Sequence, residues 1–251
     1  VRRALEKNEL LLNYQPVVDA KDENIVSFEA LLRWNSEEHG FVSPAKFIPL
    51  AEDTRLIVPI GEWVLREACR EATRWPKNVK VAVNASGEQL LDPGFVPSVI
   101  SALSSSGLPA QRLEIEVTES IFVRDATTAR SALEQIMALG CGIALDDFGT
   151  GYSSLAYIRN LRFSTIKVDR SFVQGAAAGS PESLAIIRAV VAMAESLEMS
   201  TTAEGVETEH ELEIIRGLGC RKIQGYYFGR PMGANDARNL FSGSQLRQVN
   251  G

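Results

Sequence analysis

Apolar and polar positions along the chain fall into two regimes. In the first, residues Val1 to Glu9 read as a charged helix, Leu10 to Val18 as a strand ending at Asp19, and Ile25 to Trp34 as a second strand. The gap from Asp19 to Asn24 is too short for a crossover helix, so these two strands should be antiparallel. In the second regime, helical and strand periods alternate. Ser43-Pro44 is a helix start, with a capping serine before proline. Gly61 to Trp75 has helical apolar spacing, and Val79 to Asn84 is a short buried strand. Asp92-Pro93 opens a helix that fades into Ser104 to Gly107. Leu113 to Glu119 is a strand, and Asp125 caps a helix running to Leu139 and stopped by Gly140. Further strands are expected around Ile143 to Leu145, Ser164 to Asp169, Ser200 to Ala203 and Arg221 to Phe228. The intervening helices start at Ser180-Pro181, running through Leu197, and at Thr208, whose spacing to Glu211 suits a capping box. A last helix is expected near Asn235 to Phe241.

This order predicts an α/β fold: one TIM-like, eight-stranded barrel whose first strand runs antiparallel to the rest. A length of 251 residues with 45% hydrophobic content suits a single domain over 1–251. The chain opens at Val1 rather than Met, so a piece of a longer multidomain protein is expected. The net charge is −6 and no run of lysines and arginines tracks phosphates, which argues against duplex nucleic acid. No apolar run approaches a membrane span and no signal peptide precedes the first strand. A cytoplasmic domain without membrane contact of its own is therefore expected, whatever anchors the full-length protein. Cys69, Cys141 and Cys220 lack metal-ligand spacing and read as reduced core thiols. His39 and His210 read as surface residues, which makes histidine-based catalysis and a histidine-rich zinc site poor candidates.

Polar residues recur at or near the strand ends that should form one rim. They are Gln15, Glu29 with Leu31 and Arg33, Asn84, Glu116 and Glu119, Asp146 and Asp147, Lys167 and Asp169, Glu204, and Gln224. Each has an ordinary structural explanation. Glu29 and Arg33 suit an ion pair, Asn84 a loop cap, Lys167 a counter-ion for Asp169, and Asp146-Asp147 a solvated turn. All those explanations holding together on one rim is less probable than one site. Adjacent acids repel unless a cation or proton lies between them. Side chains alternate along a strand, so Asp146 and Asp147 reach one point only where the backbone turns. Carboxylates plus an amide oxygen make a hard site suited to Mg²⁺ or Mn²⁺. A bridging Asp suits two ions about 3.5–4 Å apart, a phosphoester-cleaving arrangement. Arg33 is placed to hold phosphate oxygens, and Lys167 to orient a water.

The motifs come in the order Tyr14-Gln-Pro16, Phe28-Glu-Ala-Leu-Leu-Arg-Trp34, Phe47-Ile-Pro49 with Ala51-Glu52, and Val83-Asn-Ala-Ser86 with Gln89-Leu90. Glu116-Val-Thr-Glu119, Asp146-Asp-Phe-Gly-Thr-Gly-Tyr-Ser-Ser-Leu155, Lys167-Val-Asp169, Glu204-Gly-Val-Glu207 and Gln224-Gly-Tyr226 follow. Over essentially its whole length the chain resembles the EAL domain, the bacterial cyclic di-GMP phosphodiesterase family, whose name is spelled by Glu29-Ala30-Leu31. The resemblance implies two divalent ions, Mg²⁺ or Mn²⁺, with Ca²⁺ inhibitory. Glu29, Asn84, Glu116 and Asp146 would hold the first ion and Asp146 with Asp147 the second. Glu204 would be a ligand or the base. It implies that Lys167 contacts the attacking water, that Gln15, Leu31, Arg33 and Gln224 grip the dinucleotide, and that Asp169 supports Lys167 or touches a guanine. Glu119, Phe148, Gly149, Thr150, Gly151 and Glu207 would support a loop from Asp147 to Leu155 that couples metal binding to homodimerisation. The implied reaction opens one phosphodiester of cyclic di-GMP to linear pGpG, in a protein carrying sensory or GGDEF-type domains. A receptor that binds cyclic di-GMP without cleaving it is the alternative.

Overall fold

The computed structural model describes residues 1, 4–149 and 161–242, apart from the side chains of residues 123 and 124. Eight strands close into a barrel. They are β1 (Leu10–Asp19), β2 (Ile25–Ser36), β4 (Lys80–Asn84), β5 (Leu113–Thr118), β6 (Gly142–Phe148), β7 (Thr165–Val168), β8 (Ser200–Ala203) and β9 (Lys222–Gln224). A ninth, β3 (Gly40–Val42), pairs only with β2. Strand β1 is antiparallel to both β2 and β9, and the other barrel pairs are parallel, as the short Asp19–Asn24 gap required.

Outward-facing residues such as Val81, Val83, Ile115, Ile143, Leu145 and Ile166 are fully buried under the helical shell. Each such side chain contributes about 1.5–3 kcal/mol of burial. The inward positions of the same strands are different. Gly142, Ala82 and Ala144 are small, and they alternate with the long polar side chains of Glu114, Glu116 and Lys167. A Cβ on Gly142 would sit 3.0 Å from a Glu114 carboxylate oxygen. The interior therefore holds charged groups because its small residues leave them room.

Several sequence expectations shift. Residues 4–8 form turns rather than a charged helix, and Asn8 has a left-handed φ of 54°. Leu5 and Ala4 pack on the core while the Glu9 carboxylate accepts the Trp34 indole N–H at 2.8 Å. The polar stretch around His39 is the β2–β3 hairpin turn, which lengthens β2 to Ser36. Strand β9 ends at Gln224 instead of Phe228. The chain turns at Gly225, where any Cβ would lie 2.0 Å from the Val206 carbonyl oxygen. Asp125 does cap, accepting from Thr128 N at 3.0 Å, but at a break (φ −149°, ψ 85°) inside a longer helical segment, Ile121–Ala138. The helix Arg170–Ala177 was not anticipated. All three cysteines are buried and free, and among the described residues no helix is long and apolar enough to cross a membrane.

One contact fixes the loop after β4. The Gln89 side chain accepts from Ser86 N at 3.1 Å, while Ser86 Oγ accepts from Gln89 N, closing a capping box. Its amide nitrogen lies 1.9 Å from where a Cβ on Gly61 would be. Gly61→Ala is expected to push out that amide and to lower stability by about 1–2 kcal/mol, the worth of a lost cap. Urea unfolding measures this, and an unchanged midpoint would contradict it.

Candidate metal centre at the barrel mouth

Strand β6 delivers its two acids differently. Asp146 continues the inward side of the strand. Asp147 has a left-handed φ of 53°, and the β6–β7 register slips between Leu145 and Phe148. That bulge breaks the alternation that would have sent the second carboxylate to the outer face. The Asp147 N–H donates to Asp146 Oδ1 at 2.9 Å. One carboxylate oxygen each from Asp146, Asp147 and Glu204 falls within a 4.8 Å cluster.

Deeper in the barrel, Lys167 Nζ lies 2.7 Å from Glu116 Oε2, 2.7 Å from Glu204 Oε1, 3.4 Å from Asp146 Oδ2 and 3.5 Å from Glu29 Oε2. Glu29 also accepts from Asn84 Nδ2 at 2.7 Å and from Gln224 Nε2 at 2.6 Å. Gln224 Nε2 is shared with Gln15 Oε1 at 3.3 Å, and Gln15 in turn donates to the Gly229 carbonyl. Eight of the residues expected on the rim are thus one connected group: Gln15, Glu29, Asn84, Glu116, Asp146, Lys167, Glu204 and Gln224.

Electrostatics divide the acids. Burial would raise Glu29, but Lys167 and the donors from Gln224 and Asn84 outweigh it and hold it below the usual carboxylate range. Burial raises Glu116 well above that range against the pull of Lys167, with Glu29 and Asp146 adding to the rise. Burial also pushes Glu204 up to about 8, with Lys167 opposing and Asp146 adding. Asp147 is raised by burial and by Asp146. Burial would lower Lys167, yet Glu116, Glu29, Glu204 and Asp146 together drive it well above the normal lysine value. The site gathers more carboxyl groups than one ammonium balances, which is why most of the shifts run upward.

The remaining expected residues lie around this group. Leu31 and Arg33 border a recess of about 330 Å³ lined also by Pro44, Ile48, Asn84 and Ser86. Arg33 borders a second recess, about 490 Å³, with Asn13, Phe41, Tyr226 and Arg230. The Arg230 guanidinium stacks 4.2 Å over the Tyr226 ring. Arg33 donates to the Leu32 carbonyl rather than pairing with Glu29. Asp169 is not the partner of Lys167. Its carboxylate caps the helix Arg170–Ala177 by accepting from Ser171 N at 2.9 Å. Glu119 accepts the Gly149 N–H at 3.1 Å, next to buried Phe148. Gly149 has a left-handed φ of 91°, and a Cβ there would lie 3.3 Å from the Phe172 ring. Glu207 is exposed, and its N–H donates to the Glu211 carboxylate within the Thr208 capping box. Thr150, Gly151 and the rest of the loop to Leu155 lie outside the described residues. Sequence reasoning missed Phe41 and Arg230. An aromatic residue in a polar hairpin and an arginine six residues after Gln224 were the available signals.

The description that matches residues 1–231 is that of the EAL domain. The chain belongs to the EAL domain family. This EAL domain is 47% identical over 238 residues to the bifunctional diguanylate cyclase/cyclic di-GMP phosphodiesterase MucR of Pseudomonas aeruginosa, covering 93% of this chain and 35% of that protein. It is 40% identical over 224 residues to cyclic di-GMP phosphodiesterase PA2567 of the same organism, covering 88% and 38%. It thus spans between about a quarter and two fifths of the curated relatives it matches. The solved PaMucR phosphodiesterase in complex with c-di-GMP superposes with a TM-score of 0.89 at 46% identity, covering 94% of this chain and 97% of that one.

The donors of this EAL domain suit a divalent cation. They are convergent carboxylate oxygens from Asp146, Asp147 and Glu204, and among the described residues no thiolate or imidazole is in the cluster. Without metal, a raised carboxyl binds its proton more tightly in the folded than in the unfolded chain. The stability Glu204 contributes is complete below about pH 4.5 and is lost as pH rises through about 8. Metal-free melting temperature should fall from pH 5 to 8.5, and less steeply in Glu204→Gln. Parallel slopes in the two proteins would contradict this.

Proposed function

We propose that this EAL domain hydrolyses one phosphodiester of cyclic di-GMP to linear pGpG, using two divalent ions, Mg²⁺ or Mn²⁺. The observation that carries the reading is the convergence of Asp146, Asp147 and Glu204 beside the Glu29–Glu116–Lys167 group. The cyclic di-GMP phosphodiesterases among its relatives support the choice of substrate. Glu29, Asn84, Glu116 and Asp146 would hold one ion, and Asp146 with Asp147 the other, with Glu204 a further ligand or the base. When bound, the ions supply a deprotonated water at neutral pH and charge neutralisation on the scissile phosphate.

The chain's own groups supply the rest. Lys167 orients the attacking water, whose oxygen forms the new bond to phosphorus as the P–O3′ bond breaks. One water proton ends on the departing O3′, and the other leaves through Glu204 or solvent. Arg33, between the two recesses, holds non-bridging phosphate oxygens as a fork. Gln15 and Gln224 keep Glu29 in place through paired amides.

Nucleotide chromatography with Mg²⁺, Mn²⁺, Ca²⁺ or chelator tests the reading. Product pGpG is expected with Mg²⁺ and Mn²⁺ and not with Ca²⁺ or chelator. Glu29→Ala and Asp146→Asn should each lower turnover by more than about 10²-fold, beyond what loss of a supporting group costs. Near-normal rates in both folded variants would sink the proposal, and binding without product in any metal would favour the receptor reading.

A further inference from the structure

Lys167 is the only cation among the described residues within 4 Å of any of Glu29, Glu116, Asp146 and Glu204. It is 2% exposed, so water does little to screen the acids from one another. An ammonium has three N–H donors and no more. Two go to the 2.7 Å partners, Glu116 and Glu204, which leaves Asp146 and Glu29 at 3.4 and 3.5 Å sharing what remains.

Two of the acids also accept donors from elsewhere in the protein. Both oxygens of Glu29 already accept protein donors, Oε1 from the Asn84 amide and Oε2 from the Gln224 amide. Asp146 Oδ1 accepts the Asp147 N–H. The Asn84 amide gives its nitrogen to Glu29, which leaves its oxygen as the atom a cation would use. The acids are held together by an internal cation and by amides, at separations their mutual repulsion would otherwise open.

We infer that Lys167 is a positioning residue as well as a participant. Its ammonium is the resident cation of the metal-free centre, holds the four carboxylates in register, and gives up its contacts with them when divalent ions bind. This rests on the two-ion reading above and adds an exchange of partners to it. The exchange keeps the acids assembled at all times, at the cost of a competitor that every entering ion must displace.

The test is metal binding rather than turnover. Mn²⁺ titration calorimetry on wild type and Lys167→Met is expected to show tighter binding in the variant by about tenfold or more, because the competing charge is gone. The rise in melting temperature on adding Mn²⁺ should likewise be larger in the variant. If Lys167 were only scaffolding, its loss would let the acids splay and weaken binding, so equal or weaker affinity overturns the proposal. Should Lys167→Met fail to fold, ¹⁵N-lysine NMR of the wild-type protein decides. The buried, slowly exchanging ammonium signal should shift on Mg²⁺ addition, and a signal that stays in place overturns it. Wild-type protein that binds neither ion would remove the two-ion reading itself, and with it this proposal. Binding in the wild type with the wrong response of Lys167 removes this proposal alone.

Discussion

Mutual repulsion of carboxylates crowded at the barrel mouth is the constraint on which the rest of this EAL domain depends. Glu29, Glu116, Asp146 and Glu204 surround one ammonium, with Asp147 at the edge. Taking charges out of water is costly unless each is paired, and one lysine cannot balance this many acids. The acids respond unequally: Lys167 and the amide donors hold Glu29 below the usual carboxylate range, while burial raises Glu116 well above it and Glu204 to about 8. A pair of dications would satisfy the same acids outright. The centre is therefore poised for cations by its own electrostatics.

The fold makes such a centre tolerable by placement. Parallel strands carry hydrophobic residues outward under the helices and reserve their inward side for the site, with alanine and glycine creating the room. Glu29, Glu116, Asp146 and Glu204 come from β2, β5, β6 and the turn after β8, so no single segment bears the whole repulsion, and the closed hydrogen-bonded sheet resists its spreading. At the site the local departure is Asp147, where a left-handed residue and a register slip bring two consecutive carboxylates to one side. Strain of this sort persists only where surrounding structure fixes it. The Glu119–Gly149 hydrogen bond, two residues on, supplies part of that fixing.

Much of this was legible in the residues because strand period and turn chemistry are local. Ser200–Ala203 was placed to the residue, the reversed first strand followed from a six-residue gap, and the Thr208 capping box from its spacing. Where partners are distant, the reading was poorer. Lys167 was offered Asp169, two residues away, but its partners come from β2, β5, β6 and the end of β8, and Asp169 caps a helix instead. The early end of β9 depends on Gly225 meeting the Val206 backbone, a contact no local pattern records. The charged amino-terminal stretch had helical composition, yet Glu9 is drawn to Trp34 and the residues before it turn. Arg230 and Phe41 belong to a recess assembled from three separate segments.

The central claim is that this acid group is a two-ion centre. Anomalous diffraction from crystals grown with Mn²⁺ tests it most directly. The account predicts two peaks, one bounded by Glu29, Asn84, Glu116 and Asp146 and the other against Asp146 and Asp147, about 3.5–4 Å apart. Peaks elsewhere, or an acid group still closed around Lys167 at saturating Mn²⁺, would contradict it.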